Sequence, residues 1–405
     1  MTVHQAFRYE LDPTGRQRRL LAPAAGTARC CFHWGLAWCK RLLHGGKPVP
    51  HAAAMHRLWN AERPQRSGVY GAAKCGGQEA LRQVDRACAN FWRGRTAGQR
   101  VGFAPFRRQH GRRDSFRLTG SIPVHARSVG LPRIGCVRTK ETTENVDGRS
   151  LSATVRREAD RWYASLTVEV ERDDPQPADG PVVGIDMGLQ CFAVPSAGAR
   201  IEAPKPLAQA QPSLRHRQGL HGRQEPGSRS RRTSAVGRAR LHRSICCRRA
   251  DFLHKAATDL AKAQPVVVVE DLRGMIRNHC LARSMADAGW GECRRMLAYT
   301  TQRYGSRLVV APRFYPSTKT CSARGAIQDG MSLSERVFRC GAEIDRDLPA
   351  ARNLASLVAG SSPETQHACG ADGSGQGNGP ANPAASKQES PSRPLAASAV
   401  RHRRL

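Results

Sequence analysis

Acidic residues are scarce. The 405-residue chain carries 65 Lys+Arg against 33 Asp+Glu, a formal net charge of +32. An excess of that size repels itself in a compact monomer unless a polyanion neutralises it. Nucleic acid is the polyanion this predicts, because each neutralised phosphate releases a counterion. Aromatics make up only 5%, which excludes widespread base stacking as the source of affinity. No stretch approaches the roughly 18 consecutive apolar residues of a membrane span, so no membrane partner is expected. The start, MTVHQAFRYELDPTG, lacks the apolar core of a secretory signal. The 14 cysteines lack the dense, regular spacing of a disulfide framework. The expectation is therefore a reducing, cytoplasmic protein with mostly free thiols, nucleoid-associated when bound to DNA. No small-molecule substrate is indicated. Hydrophobic residues amount to 40%, enough for real cores but below the usual share, so part of the chain should be extended or loose. The length allows two or three domains.

The hydrophobic pattern organises the rest. Residues 3–12 read as a strand and 15–43 as a helix. In 78–96, Leu81, Val84, Ala87, Cys88 and Phe91 mark an amphipathic helix. Short strands are expected over 101–175, with RWYASLTVEVE (161–171) alternating in its second half. The acidic, Pro-rich segment 172–181 reads as a linker. Beyond it, PVVGIDMG, CFAVPSAG and RIEAP suggest three strands in succession. Residues 205–249 are polar and Arg-rich, and their prolines and glycines argue against one continuous helix. A helix over 248–264, a buried strand over 265–271, a helix over 287–305, a strand over 307–312 and a helix over 347–358 follow. The Ser/Gly/Pro/Ala-rich tail, 360–405, is expected to be disordered.

Three acids stand out within that order. Asp186 ends the Val-rich strand VVGID, Glu270 ends VVVVE, and Asp345 and Asp347 flank Arg346 just before the last helix. A carboxylate at the end of a buried strand is costly unless it is paired or metal-bound. Taken singly, each could cap a strand or pair with an arginine. Together, on a β-β-β-α-β-α-β-α order, Asp186, Glu270 and Asp347 suit an oxygen-only site for Mg²⁺ or Mn²⁺, with Asp345 in support. Two such ions roughly 4 Å apart can activate water and stabilise the leaving oxygen of a phosphodiester. Asp271 should point to the opposite side of the sheet, as a helix cap or structural acid. Charge alone would also suit a non-specific nucleic-acid binder, but that leaves the strand-end acids unexplained.

The same residues carry a chain-wide resemblance. AFRYELDPTGRQ, TARCCFHWGLA, ALRQVDRACANFWR, GFAPFRRQHGRRDSFRLTG, LSATVRREADRWYASLTVE, VVGIDMGLQCFAV, VVVVEDLRGM, DAGWGECRRMLAY, RFYPSTKTCSARG and DRDLPAARN occur in order up to about residue 358. In this the sequence resembles the transposon-encoded TnpB (OrfB) proteins, relatives of the type V CRISPR effector nucleases that are often labelled transposases. The resemblance implies an α/β plus α+β architecture. Its parts would be a wedge strand (1–14), a helical recognition lobe (15–98), a β-barrel wedge domain (99–175) and a RuvC-like nuclease domain of the RNase H fold (181–358). It implies an RNA-guided DNA endonuclease with guide RNA and target DNA as partners, three Mg²⁺-binding acids falling on Asp186, Glu270 and Asp347, and Asn353 in support. Such a protein needs a broad positive channel for the guide–target duplex. Arg107, Arg108, Arg112, Arg113 and Arg117 are candidate contacts, interleaved with Phe103, Phe106 and Phe116, which suit base stacking and wedge core equally well.

The sequence also departs from the family. The resemblance implies a four-Cys zinc ribbon between the last two acid motifs, here within 313–344, but only Cys321 and Cys340 remain. Arg324 occupies one partner position, and the second knuckle is short. Two of four expected ligands are missing, and two thiolates do not close a tetrahedral Zn²⁺ site. Pro349 replaces the family's Asn after the last Asp motif, and the family's long basic helix carries breakers at 205–245. The alternative these departures raise is a nuclease-impaired, decaying copy that binds guide RNA and DNA without cutting.

Overall fold

A computed structural model of the protein describes residues 1–65, 73–107, 114–272, 280–312, 315–322, 337–339, 343–345 and 347–359. The tail expected over 360–405 lies outside the described residues.

The first half is built on β1 (Thr2–Asp12), α1 (Gly15–His44), α2 (Ala52–Glu62) and α3 (Lys74–Thr96). Five short or medium strands follow, β2 (Ser115–Thr119), β3 (Val124–His125), β4 (Ser128–Leu131), β5 (Gly135–Thr139) and β6 (Arg149–Glu158), and then β7 (Arg161–Glu171). Helix α1 starts on a capping box: the Thr14 side chain accepts from the Gln17 N–H while the Gln17 side chain accepts from the Thr14 N–H. Its buried residues Leu21, Ala25, Ala28, Phe32, Leu36 and Cys39 recur every three or four positions, one stripe of a helix. That stripe meets Leu81 and Val84 of α3. The two helices cross closely at Gly35, where a Cβ would come 2.8 Å from Leu81 Cδ2.

The seven strands form one sheet in the order β2-β6-β7-β1-β5-β4-β3. Strand β1 pairs antiparallel with β7 from Thr2↔Glu171 to Leu11↔Trp162. The inward residues of this sheet share a single hydrophobic core with α1 and α3. A closed barrel was the expectation. Among the described residues the ladder is open, with β2 and β3 unpaired to each other. β3 is only two residues long, and Pro123 beside it has no N–H to extend an edge.

The second half contains β8 (Val182–Asp186), β9 (Cys191–Pro195), β10 (Ile201–Glu202), α4 (Pro206–Arg223), α5 (Arg229–Ala263) and β11 (Val266–Val269). It continues with α6 (Ala282–Ala288), α7 (Trp290–Tyr304), β12 (Arg307–Val310), the short hairpin β13 (Val337–Arg339) and β14 (Glu343–Asp345), and α8 (Asp347–Ala359). Five strands make a sheet in the order β10-β9-β8-β11-β12. The central pairs β8–β11 and β11–β12 are parallel, while β8–β9 and β9–β10 are antiparallel. Alternation divides the valines between two faces. Val183, Ile185, Val267 and Val269 pack with Leu253 and Ala257 of α5 and Met296 and Leu297 of α7. Val268 packs on the other face with Leu354 of α8. At Gly184 that helix comes so close that a Cβ would collide with the Ala351 carbonyl and reach 2.5 Å from the Ala355 nitrogen.

The basic stretch is, as expected, not one continuous helix, and two other elements differ from the expectation for local reasons. The basic stretch is two helices broken at Glu225–Gly227, where Gly227 has φ +88°. Its other breakers are tolerated, Pro212 lying inside α4. The helix expected over 248–264 is the C-terminal half of α5. Gly289, at φ +74°, ends α6 and opens α7, splitting the helix expected over 287–305.

The halves meet through charge. Arg240 of α5 pairs with Asp160 at 2.7 Å, and Arg243 donates to the Tyr163 hydroxyl. That hydroxyl donates to Glu10 at 3.0 Å. Glu10, nearly buried, also pairs with Lys140 at 2.7 Å and Arg161 at 2.9 Å. Burial pushes its carboxyl up, but the bonds from Lys140, Arg161 and Tyr163 outweigh this and hold it below the usual carboxylate range.

Two predictions follow from this packing. Gly184→Ala forces α8 off β8 and should cost about 1–3 kcal/mol of folding stability, read as a lowered melting temperature. Glu10 has a depressed folded-state pKa, so its contribution is present above the unfolded carboxylate range and is lost as pH falls through the folded value. Glu10→Gln should melt below the parent at pH 7, and the gap should close on acidification.

Candidate active site

The parallel register sets the site. Val266↔Val182 through Val269↔Ile185 place Glu270, the residue after β11, beside Asp186 at the end of β8. By the same alternation both even-numbered positions fall on the face of Gly184 and Val268, the face that α8 covers. Asp186 is buried. Asp347 stands in the first turn of α8, one turn before the Ala351 carbonyl that meets Gly184. Pro349 sits buried in that turn, where a missing N–H costs nothing. β14 includes Asp345.

Burial pushes the Glu270 carboxyl above the ordinary carboxylate range, and a hydrogen bond from the Ser317 hydroxyl to Oε1 pulls it part of the way back. Asp271 behaves differently. It pairs with Arg294 of α7 at 3.1 Å, and α7 packs on the opposite face from α8. Of its two expected roles, the structure assigns Asp271 that of a structural acid.

Asn353, expected as a supporting residue, touches neither acid. Its Nδ2 donates to the backbone carbonyls of Ser317 and Thr320, each at 2.7 Å. It thereby ties α8 to the loop that reaches Glu270. Ser317 itself was not singled out from the sequence. A hydroxyl in a Tyr-Pro-Ser turn gives no pattern that separates it from any other turn serine.

The donors are all carboxylate oxygens, the chemistry of a hard divalent cation. Among the described residues, no three His, Cys, Asp or Glu side chains are gathered into a group that could hold a metal ion. Asp186 and Glu270 are adjacent strand-end acids, and Mg²⁺ commonly takes one or two carboxylates with waters and substrate phosphate completing its octahedron. The donor set therefore fits in kind. Cys321 is buried, while Cys340 lies outside the described residues.

The expected arginine cluster is placed only in part. Arg108, Arg112 and Arg113 lie outside the described residues. Arg107 lays its guanidinium over Phe32 at 3.9 Å and donates to Gln83 at 2.6 Å. Arg117 donates to Ser152 at 2.9 Å and lies 3.8 Å from buried Glu79. Both arginines pack against the first core and remain half-buried. Phe116 is buried and Phe103 packs on the core, whereas Phe106 is exposed.

A concentrated positive surface lies on α4 and α5. Between Glu202 and Asp251 the chain has eleven arginines and Glu225 as its sole acid. Arg215, Arg217, Arg223, Arg229 and Arg232 are exposed on α4 and α5. The near-absence of acid over that span was the signal that could have identified this surface from the sequence.

Family models match three segments. One described as "Probable transposase" covers residues 165–276, one described as "Cas12f1-like, TNB domain" covers 290–354, and one described as "Helix-turn-helix domain" covers 1–47. In this chain the last segment is β1 followed by the single long helix α1. A Streptomyces pristinaespiralis protein named "Putative RNA-guided DNA endonuclease" is 32% identical over 377 residues, covering 88% of this chain and 90% of its own. A Mycobacterium tuberculosis protein with the same designation is 32% identical over 396 residues, covering 87% of this chain and 86% of its own. A solved Cas12f1–sgRNA–target DNA complex matches with TM-score 0.53 at 12% identity, covering 90% of this chain and 99% of that one, a likeness of fold. With sequence identity of this level spanning nearly all of both chains, the protein belongs to the transposon-encoded TnpB (OrfB) family.

Proposed function

We propose that this protein is an RNA-guided DNA endonuclease that cuts by divalent-metal-dependent phosphodiester hydrolysis in a RuvC-like domain of the RNase H fold. The observation that carries the reading is the side-by-side placement of Asp186 and Glu270 at the ends of two parallel central strands, on the face covered by α8. The sheet order β10-β9-β8-β11-β12 with the last helix against it supports the domain assignment. So do relatives that are named RNA-guided DNA endonucleases.

Asp186 and Glu270 would hold a Mg²⁺ or Mn²⁺ ion, with Asp347 joining them from α8. When bound, such an ion supplies Lewis acidity at the scissile phosphate and a more acidic attacking water. The buried sheet face keeps the carboxylates out of bulk solvent, which strengthens their pull on a cation. No protein nucleophile is required. The exposed arginines of α4 and α5 would bind the phosphate backbones of guide RNA and target DNA, while base pairing reads the sequence. A second reading, a copy that binds guide and target without cutting, is favoured by the loss of two of the four expected cysteines and by Pro349 in the last acid motif.

One variant separates these readings. Asp186→Ala should keep guide RNA and target DNA bound and lose Mg²⁺-dependent cleavage by at least about 100-fold, the scale on which even outer partners of metal ligands act. Equal cleavage by parent and variant would refute the acid assignment, and no guide-dependent product from either would establish the binding-only reading. For the basic surface, replacing Arg223, Arg229 and Arg232 together with Ala should weaken RNA binding. It should also reduce the slope of log affinity against log salt by about 2, at roughly 0.7 per lost phosphate contact. Filter binding across a salt series measures both effects.

A further inference from the structure

We infer that Ser317 is a positioning residue for Glu270, holding one carboxylate oxygen so that the remaining lone pairs face a divalent cation. The inference rests on the assignment of Glu270 as a metal ligand. The chain beyond β12 stays alongside β11, the Ala311 N–H donating to the Val269 carbonyl at 2.8 Å. Residues 315–320 form a tight turn, with the Tyr315 N–H donating to Pro312 at 3.0 Å. The Ser317 N–H donates to Tyr315 at 2.9 Å, and the Lys319 and Thr320 N–H groups donate to Pro316 at 3.1 and 3.2 Å. Ser317 at the centre of this turn is 2% exposed. Its hydroxyl donates to Glu270 Oε1.

The turn is fixed from the other side of the site. Asn353 of α8 spends both amide hydrogens on it, one to the Ser317 carbonyl and one to the Thr320 carbonyl. The Tyr315 hydroxyl donates in return to the Asn353 carbonyl at 3.0 Å. The same helix that covers the strand-end acids therefore sets the height of the Ser317 hydroxyl above Glu270. An ionised carboxylate has about four lone-pair sites on two oxygens. A serine hydroxyl has one proton to give, so committing it to Oε1 orients the group while leaving most of its acceptor capacity open. Outer hydrogen bonds of this kind fix the rotamer of a ligand, and their loss commonly costs about 10–100-fold in metal affinity.

The test uses the full chain with its guide RNA and follows Mn²⁺ binding by electron paramagnetic resonance without target DNA, alongside the Mg²⁺ dependence of cleavage. Ser317→Ala should raise the Mn²⁺ dissociation constant about 10–100-fold and shift half-maximal cleavage to higher Mg²⁺, with guide RNA binding intact. Ser317→Thr, which restores the hydroxyl, should recover both. Glu270→Ala is the control for the underlying assignment. If it binds Mn²⁺ like the parent, that assignment falls and the inference falls with it. If Glu270→Ala loses Mn²⁺ while Ser317→Ala binds as the parent does, Glu270 stands and the role of Ser317 is refuted. Should Ser317→Ala fail to fold, Ser317→Cys keeps the shape with a weaker donor, and parent-like Mn²⁺ affinity there refutes it equally.

Discussion

Two carboxylates are held at neighbouring ends of a parallel strand pair, under a helix, in a chain whose charge is +32. Burial penalises their charge, and the rest of the second half is arranged around that constraint. The valine runs of β8 and β11 give the sheet two buried faces. α5 and α7 take one face, and α8 takes the other at Gly184. Asp271, one residue beyond Glu270, falls on the helix α7 side and is neutralised there by Arg294. Among the described residues, Glu270 receives a neutral hydroxyl from Ser317. Two adjacent acids with such different partners suit different tasks, a structural one for Asp271 and, in the proposed reading, cation binding for Glu270.

The first half solves a different problem, which is to pack long helices and a seven-stranded sheet around one core. Aromatics such as Phe32, Trp59 and Phe116 fill that core, and small residues let the helices approach. Ala25, Ala28 and Gly35 of α1 allow α3 to approach, and the strands of the seven-stranded sheet complete one shared core. Some of the chain's arginines are spent inside this packing, as Arg107 over Phe32 and Arg117 near Glu79 show. Others join the halves, as Arg240 does on Asp160. The solvent-facing arginines of α4 and α5 are among those able to meet phosphate.

Much of this was legible in the sequence because periodicity is a local signal. The strand over 3–12, the helix over 15–43, the three strands after 181 and the helix at 347 are all present, close to their expected places. Alternation also placed Asp271 opposite Glu270 correctly. The failures share one cause: they depended on neighbours distant in the chain. The Gly289 break looks like ordinary helix sequence until its positive φ is seen. Ser317 has no sequence signature at all, since its role arises from Asn353 and Glu270 meeting it from two other elements.

The most direct measurement is the anomalous signal of Mn²⁺ in a crystal of the protein bound to guide RNA and target DNA. The account predicts a peak within about 2.0–2.2 Å of carboxylate oxygens from both Asp186 and Glu270, beside a target phosphate. A Mn²⁺ peak away from both residues, or arginine guanidinium groups filling the space between them, would contradict it.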